Sequence, residues 1–384
     1  MMISITPALL IAAITFGYLA VEASPAPLLS LNIGGSLSAE INTKSLGKAC
    51  KAPPSFTSAY FVRATPDTIV ANDGSKPPGQ TGAIGRYNLY LNSHEEKICW
   101  DIELEGVTGE YSSPAKTATH VHQANAGSAG PPRIAFPNPQ TVGSRGGKEI
   151  RKSEGCMEGP FTTGVLSPPV TGTDTGSASG FKLRDIEANP SGFFGDTHTS
   201  AFTAGAVRGQ LIPSELEVRK PKRFTSHLRT KATADQVVTA TGPVAGEAGA
   251  TGKYELSINS DENILCYKIT LEGVTGDYLS PAKTATHIHQ APKGSAGPAR
   301  FAFKNPEKVN RWWSWWSKKE VRVSESCVKG PFTTGLVGTD GKDTGSQSGF
   351  NLKSLEDNPS QFFADTHTAQ FSAGAIRGQL ERVY

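Results

Sequence analysis

A block of about 155 residues occurs twice in this 384-residue chain, and the duplication constrains the fold more than any other feature. The stretch KTATHVHQANAGSAGP of the first copy returns as KTATHIHQAPKGSAGP in the second. A block of this length suits one independently folded domain. We therefore expect two tandem domains, residues 57–211 and 224–384, joined by a polar linker over 212–223.

The N-terminal segment is apolar and ends in small residues, which predicts a signal peptide over residues 1–23. An uncleaved membrane anchor is the alternative, although Pro7 and Gly17 weaken this segment as a membrane span. Residues 24–56 are rich in Ser, Gly, Pro and Ala, which is typical of a flexible leader. We expect a secreted, extracellular protein with no transmembrane span in the mature chain.

Charge and composition exclude some classes of protein. The chain has 38 basic and 35 acidic residues without a long run of either, which argues against a nucleic-acid partner. Its 41 glycines and 26 prolines indicate many turns. The dibasic pair Lys222-Arg223 in the linker is either solvated or a site for a secretory protease.

Alternating apolar and polar residues predict half-buried antiparallel strands in both copies. Tyr87, Leu89 and Leu91 alternate with polar residues, and the second copy repeats this pattern from Tyr254. Only short helical turns are expected, at LRDIEANP and LKSLEDNP, where proline stops each one. The fold class is all-β, with an antiparallel β-sandwich or flattened barrel in each copy.

Four of the five cysteines occupy equivalent places in the two copies. The simplest assignment is one disulfide per copy, Cys99–Cys156 and Cys266–Cys327. Cys50 is then left without a partner in either copy. Cys50 either pairs between chains or is lost by processing. Because Cys99 falls on the polar face of its strand, we expect each bridge to tie an outer loop onto the sheet.

The His-x-His motif of each copy points both imidazoles to one face of a strand, because side chains alternate with period two. Val121 and Ile288 should then face the core, with the histidines outside the sheet. A third histidine follows in each THT motif, so three nitrogen ligands could bind copper or zinc. The alternative is a set of polar residues on a solvated strand face. The candidate ligands are His120, His122 and His198, and His287, His289 and His367.

An aspartate precedes the third histidine by two residues in each copy, at Asp196 and Asp365. This spacing places the carboxylate on the same strand face, so it could orient the histidine as an outer hydrogen-bond acceptor. It is also the partner expected if the face is merely polar.

The second copy alone carries RWWSWWSKK, in which four tryptophans fall within five residues. This loop is either a contact surface for sugar, a membrane interface or a protein, or a plug that folds back onto the domain. The expected partner is an extracellular protein or a cell-wall or matrix polysaccharide. The tryptophans are Trp312, Trp313, Trp315 and Trp316.

Each copy resembles a CHRD domain, the module named after chordin. The resemblance covers most of both copies: ICWDIELEGV and ILCYKITLEGV, the HVHQA and HIHQA blocks, and the endings from NPSGFF and NPSQFF to RGQL. It implies an extracellular β-domain and, for chordin, the binding of partner proteins. It does not imply a defined biochemical activity.

The HVH block, the AGP and FPNP that follow and the terminal AG-x-x-R are similar to the copper site of copper/zinc superoxide dismutases. This weaker resemblance implies copper ligation by the three histidines, with Arg208 and Arg377 as guides for an anion. A salt bridge to Asp196 or Asp365 is the alternative role for these arginines. The bridging histidine and the zinc ligands of that family are absent.

Two functions therefore remain. The first is a non-catalytic extracellular binding module with a possible three-histidine metal site in each domain. The alternative is a copper-dependent oxidoreductase similar to superoxide dismutase, so the sequence leaves open whether the protein is an enzyme, and it identifies no catalytic residue.

Overall fold

The computed structural model describes residues 56–167, 172–309 and 319–383. The predicted signal peptide, nearly all of the predicted leader, Cys50 and the tryptophan loop lie outside these residues. Within the described residues each copy forms one large antiparallel sheet and one short α-helix. The all-β prediction is confirmed.

The first domain contains a nine-stranded sheet in the order β5-β4-β8-β9-β1-β2-β3-β7-β6. Its strands are β1 (Ser58–Ala64), β2 (Ile84–Asn92), β3 (Lys97–Glu105), β4 (Thr119–Gln123), β5 (Pro132–Phe136), β6 (Gln140–Arg145), β7 (Lys148–Glu158), β8 (Phe193–Thr197) and β9 (Val207–Pro213).

The second domain repeats this order with short additions at the edges. The strands are β10 (Leu216–Glu217), β11 (Ser226–Thr233), β12 (Val238–Thr239), β13 (Gly242–Pro243), β14 (Thr251–Asn259), β15 (Ile264–Glu272), β16 (Thr286–Gln290), β17 (Ala299–Phe303), β18 (Glu307–Lys308), β19 (Val321–Lys329), β20 (Phe362–Thr366), β21 (Ile376–Gln379) and β22 (Glu381–Arg382). The path is β10-β19-β15-β14-β11-β21-β20-β16-β17, and β12 pairs only with β13.

Each sheet curls around its own apolar core. Tyr87, Leu89 and Leu91 of β2 are fully buried on the inner face, as their alternation predicts. Burial of one such side chain contributes about 1.5–3 kcal/mol. The Tyr87 hydroxyl remains satisfied in the core, because it lies 2.7 Å from the hydroxyl of Thr197 at the end of β8.

The two predicted helical turns are confirmed as α1 (Leu183–Ala188) and α2 (Leu352–Asp357). In α1, Leu183 and Ile186 are three residues apart, so both face the core. Pro190 follows the helix and begins a 3-10 turn. Within the described part of the chain, no helix has the length and apolar character that a membrane crossing requires.

Both predicted disulfides are present, Cys99–Cys156 and Cys266–Cys327. Their position differs from the expected one. Cys99 of β3 is the direct partner of Cys156 in β7, with 3.9 Å between the Cα atoms. The bridge therefore joins two neighbouring strands, because β7 replaces the outer loop that the sequence suggested.

Part of the segment predicted as a solvated linker belongs to the second sheet. β10 pairs with β19, Leu216 opposite Lys329 and Glu217 opposite Val328. The Val218 N–H also donates to the Cys327 carbonyl, at 2.8 Å. The chain thus docks on the second domain before it enters β11.

The duplicate disulfides provide a stability test. Replacing Cys99 and Cys156 together by alanine should lower the free energy of unfolding of the first domain by about 4 kcal/mol, because each bridge closes a loop of about 60 residues. Denaturant unfolding measures this loss when it is followed by the fluorescence of Trp100 in the first core, with the four tryptophans of the second copy replaced by phenylalanine in both proteins compared. A non-reducing peptide map that joined cysteines of different domains would contradict the pairing.

Candidate metal centre

Strand pairing places the site residues of the first domain side by side. His120 and His122 lie two residues apart on β4, and His120 is directly opposite Asp196 of β8. His198 follows two residues after Asp196, and its backbone N–H donates to the Ala118 carbonyl at 2.8 Å. Two neighbouring strands therefore bring three imidazoles and one carboxylate to one face of the sheet.

The four side chains converge on one point. Each offers a nitrogen or oxygen atom, and all four atoms lie within 4.8 Å of one another. The Asp196 carboxylate lies 3.5 Å from His120 Nδ1, 3.3 Å from His122 Nε2 and 3.0 Å from His198 Nε2. The spacing meets the first requirement of a metal site, because modest side-chain movement suffices to surround one ion.

Backbone carbonyls hold the opposite nitrogen of every ring. His120 Nε2 lies 2.6 Å from the Thr117 carbonyl, and His122 Nδ1 lies 2.8 Å from the Gly130 carbonyl. His198 Nδ1 lies 2.9 Å from the carbonyl of Thr203. Carbonyl oxygens only accept, so each of these nitrogens carries the ring hydrogen and fixes the tautomer.

The nitrogens that face the carboxylate consequently present lone pairs when the rings are neutral. His120 Nδ1, His122 Nε2 and one Asp196 oxygen are buried without a hydrogen-bond partner. Lone pairs opposed to an ionised carboxylate repel it unless a proton or a metal cation lies between them. Uncompensated buried polar atoms are costly, and a cation bound among them could compensate them.

The pKa values of the ionisable groups are shifted in directions that fit this arrangement. Burial is the main cause that lowers the pKa of His120, which favours its neutral form. Burial also opposes the charging of His198, but the Asp196 carboxylate outweighs it and raises the pKa of His198. Burial raises the pKa of Asp196 less than the three imidazoles lower it, so this carboxyl has a pKa well below its usual range.

Arg208 lies beside the cluster on β9, opposite Asp196. No ion pair between the two occurs among the described residues, so the predicted salt bridge is wrong. The guanidinium instead lies over the ring of Phe194, 3.5 Å from its centre, and donates to the Ser128 carbonyl at 2.6 Å. Its Nη1 atom is buried without a partner. The aromatic face takes the place of the carboxylate as the partner of the cation.

The second domain builds the same site from β16, β20 and β21. The Asp365 carboxylate lies 3.5 Å from His287 Nδ1, 3.3 Å from His289 Nε2 and 3.1 Å from His367 Nε2. Arg377 again lies over a phenylalanine, Phe363, at 3.5 Å. The rings donate to the carbonyls of Thr284, Gly297 and Ser372.

Two expectations about this face need correction. The histidines do lie on the face of β4 that points away from Val121 and the core. This face is not solvated, however, because His120 is only 1% exposed. Loops cover the outer side of β4, including the one that provides the Gly130 carbonyl. The aspartate also differs from an outer acceptor, because it faces the free nitrogen of each ring and the carbonyls take the outer positions. Asp196 is therefore placed where it could act as a fourth ligand.

Sequence reasoning missed the carbonyl acceptors and the phenylalanine. A signal for one acceptor was present in the repeated GSAGP stretch. A Cβ atom on Gly130 would lie 2.1 Å from the Gln123 carbonyl, and Gly297 has the same contact with Gln290. Only glycine allows this loop to approach the strand closely enough to bond the imidazole.

Comparison with known proteins gives one match. The family model of the CHRD domain matches residues 68–211 and 228–380. No curated protein and no solved structure matches the chain. The family, the two disulfides and the two cores agree with a module of extracellular type. Since the two matches cover most of the sequence, the chain belongs to the CHRD domain family, with two domains in tandem.

Proposed function

We propose that this protein is a secreted, non-catalytic binding module in which each CHRD domain holds one transition-metal ion. One observation carries the proposal: three imidazoles, each locked by a backbone carbonyl, present their free nitrogens to a buried aspartate. The same arrangement is retained in both domains. A proton can occupy part of this site, but only a cation with several ligands satisfies all the facing lone pairs.

The donor set indicates which metals fit. Three imidazole nitrogens and one carboxylate oxygen suit zinc and copper, and Cu²⁺ stands above Zn²⁺ in affinity for a given set of such donors. In the first domain His120 would ligate through Nδ1, and His122 and His198 through Nε2. The bound ion would cross-link β4 to β8 and to the chain beyond it, so it stabilises the folded domain.

The alternative function, a superoxide-consuming copper oxidoreductase, needs a ligand position open to a small molecule. Asp196 fills the fourth position, and the three imidazoles are 1%, 12% and 12% exposed. The unpartnered Nη1 of Arg208 is the feature that favours the alternative. The enclosed donor set supports binding rather than turnover.

Metal stoichiometry tests the proposal. Protein purified without a histidine tag should bind two Zn²⁺ or two Cu²⁺ per chain by isothermal titration calorimetry, checked by elemental analysis. His198→Ala should reduce this to one, because the first domain loses a central ligand, and His367→Ala should do the same for the second. The double variant, which lacks both His198 and His367, should bind no metal ion tightly.

The chain offers a matched control for these variants. His94 and His227 are exposed histidines, one in each domain and away from the clusters. Their replacement by alanine should leave two ions per chain. Retention of both ions in the double variant His198→Ala/His367→Ala would refute the proposed site.

Metal affinity should fall with decreasing pH, because every imidazole must be neutral to ligate. The raised pKa of His198 makes the decline begin above the ordinary imidazole value of about 6.5. Each displaced proton then costs about tenfold in affinity per pH unit. Asp196→Asn removes the charge that raises this pKa, so the decline should begin at lower pH, with weaker binding throughout. Competition with a coloured chelator across the pH range measures both effects.

A catalytic assay separates the two functions. Copper-loaded protein should remove superoxide no faster than the copper that it releases, as measured by the inhibition of cytochrome c reduction. A rate that depends on protein-bound copper and falls in Arg208→Ala/Arg377→Ala would instead support the oxidoreductase.

The partner of the module remains a proposal from the sequence. An extracellular protein or a cell-wall or matrix polysaccharide is consistent with the disulfides and with the family. The loop of Trp312, Trp313, Trp315 and Trp316 is the proposed contact surface.

A further inference from the structure

The junction between the domains shows how this fold accepts an additional strand. Residues 214–218 lie along the outer edge of β19, where Leu216 pairs with Lys329. The last contact is the N–H of Val218, which donates to the Cys327 carbonyl at 2.8 Å. The edge beyond the disulfide is thus a site for strand addition.

Glu215 anchors this strand through its carboxylate. It forms an ion pair with Lys283 Nζ, whose side chain is 8% exposed. The Thr333 hydroxyl donates to the same carboxylate at 3.3 Å and lies 3.0 Å from the Ser214 hydroxyl. The ion pair is desolvated and has several hydrogen bonds, so it specifies an acidic residue at this position.

The first domain has an equivalent strand edge with an equivalent lysine and threonine, but no described strand is added to it. Lys116 is the equivalent of Lys283, and its Nζ donates to Thr162, the equivalent of Thr333, at 2.8 Å. Lys116 and Thr162 are exposed, whereas their counterparts are buried. Among the described residues, no strand pairs with the outer side of β7 over Cys156–Glu158.

We propose that this edge, formed by Cys156–Glu158, Lys116 and Thr162, binds an extended acidic segment of a partner protein by strand addition. The backbone of β7 supplies hydrogen bonds, and Lys116 receives a carboxylate as Lys283 receives that of Glu215. The required ligand is a short β-strand with a glutamate or aspartate ahead of an apolar residue, the pattern of SELEV.

A second copy of the chain does not meet this requirement. In the junction the outer face of β1 carries the apolar Ala59 and Phe61, at 4% and 1% exposure, beside Arg63, which donates to the Pro281 carbonyl. At the corresponding positions β11 presents His227 and Arg229, both exposed. Residues 214–218 of a second copy are engaged by its own second domain, so head-to-tail assembly lacks a matching surface.

The N-terminal segment of the same chain also lacks the anchor. Phe56-Thr57-Ser58 corresponds to Phe224-Thr225-Ser226, and counting back places Gly47 at the position of Glu215. Gly47 offers no carboxylate to Lys116. Charge complementarity therefore favours a partner protein as the occupant.

A peptide of residues 212–220, IPSELEVRK, probes the edge directly. Labelled with a fluorophore, it should bind the full chain with one site and a dissociation constant below about 1 mM in fluorescence anisotropy. Lys116→Glu should weaken binding at least tenfold, whereas Lys76→Glu, at an exposed lysine elsewhere in the domain, should not. A peptide with both glutamates replaced by lysine should fail to bind.

Other outcomes would overturn the proposal. No saturable binding, or binding that Lys116→Glu leaves intact, would show that the edge is not an acidic-strand site. Ala49→Pro prevents the N-terminal segment from pairing as a strand. Binding seen only in that variant would assign the edge to this segment of the chain instead of a partner.

Discussion

The candidate centre depends on the hydrogen bonds between imidazole N–H groups and backbone carbonyls. His120, His122 and His198 each give their only neutral-ring hydrogen to a carbonyl, so the remaining nitrogen is committed to face Asp196. Without these bonds the rings could rotate and donate to the carboxylate, and the cluster would be an ordinary polar network. With them, the folded chain concentrates lone pairs and negative charge at one buried point. The backbone therefore determines the chemistry of the site before any ion is bound.

Duplication preserved this constraint and altered the surfaces. Each distance from an imidazole nitrogen to Asp196 in the first cluster agrees within 0.1 Å with the equivalent distance to Asp365 in the second. The outer faces differ, because the apolar Phe61 of one domain corresponds to a charged arginine in the other. A buried cluster tolerates little change, since each member is held by a specific partner, whereas outer faces are free to take different partners.

The sequence predicted the parts of the site that follow from strand periodicity. The His-x-His spacing gave the common face of His120 and His122, and the repeat identified His198 as a third member. It could not show that loops bury this face, or that Asp196 lies among the free nitrogens, because both depend on the pairing of strands far apart in sequence. The same limit explains Cys156: its copy-to-copy equivalence predicted the bridge, but not that β7 is the neighbour of β3.

The junction had the weakest signal, because SELEVRKPKR is polar and basic and resembles many solvated linkers. Its role rests on Glu215, a single acidic residue whose partner Lys283 lies 68 residues away in the chain. Alternation could not distinguish this carboxylate from the exposed ones around it. A buried ion pair costs desolvation of both groups, so it forms only where geometry and further hydrogen bonds compensate. Ser214 and Thr333 supply those bonds here. The anchored strand thus contributes to the junction of the two domains without involving either histidine cluster.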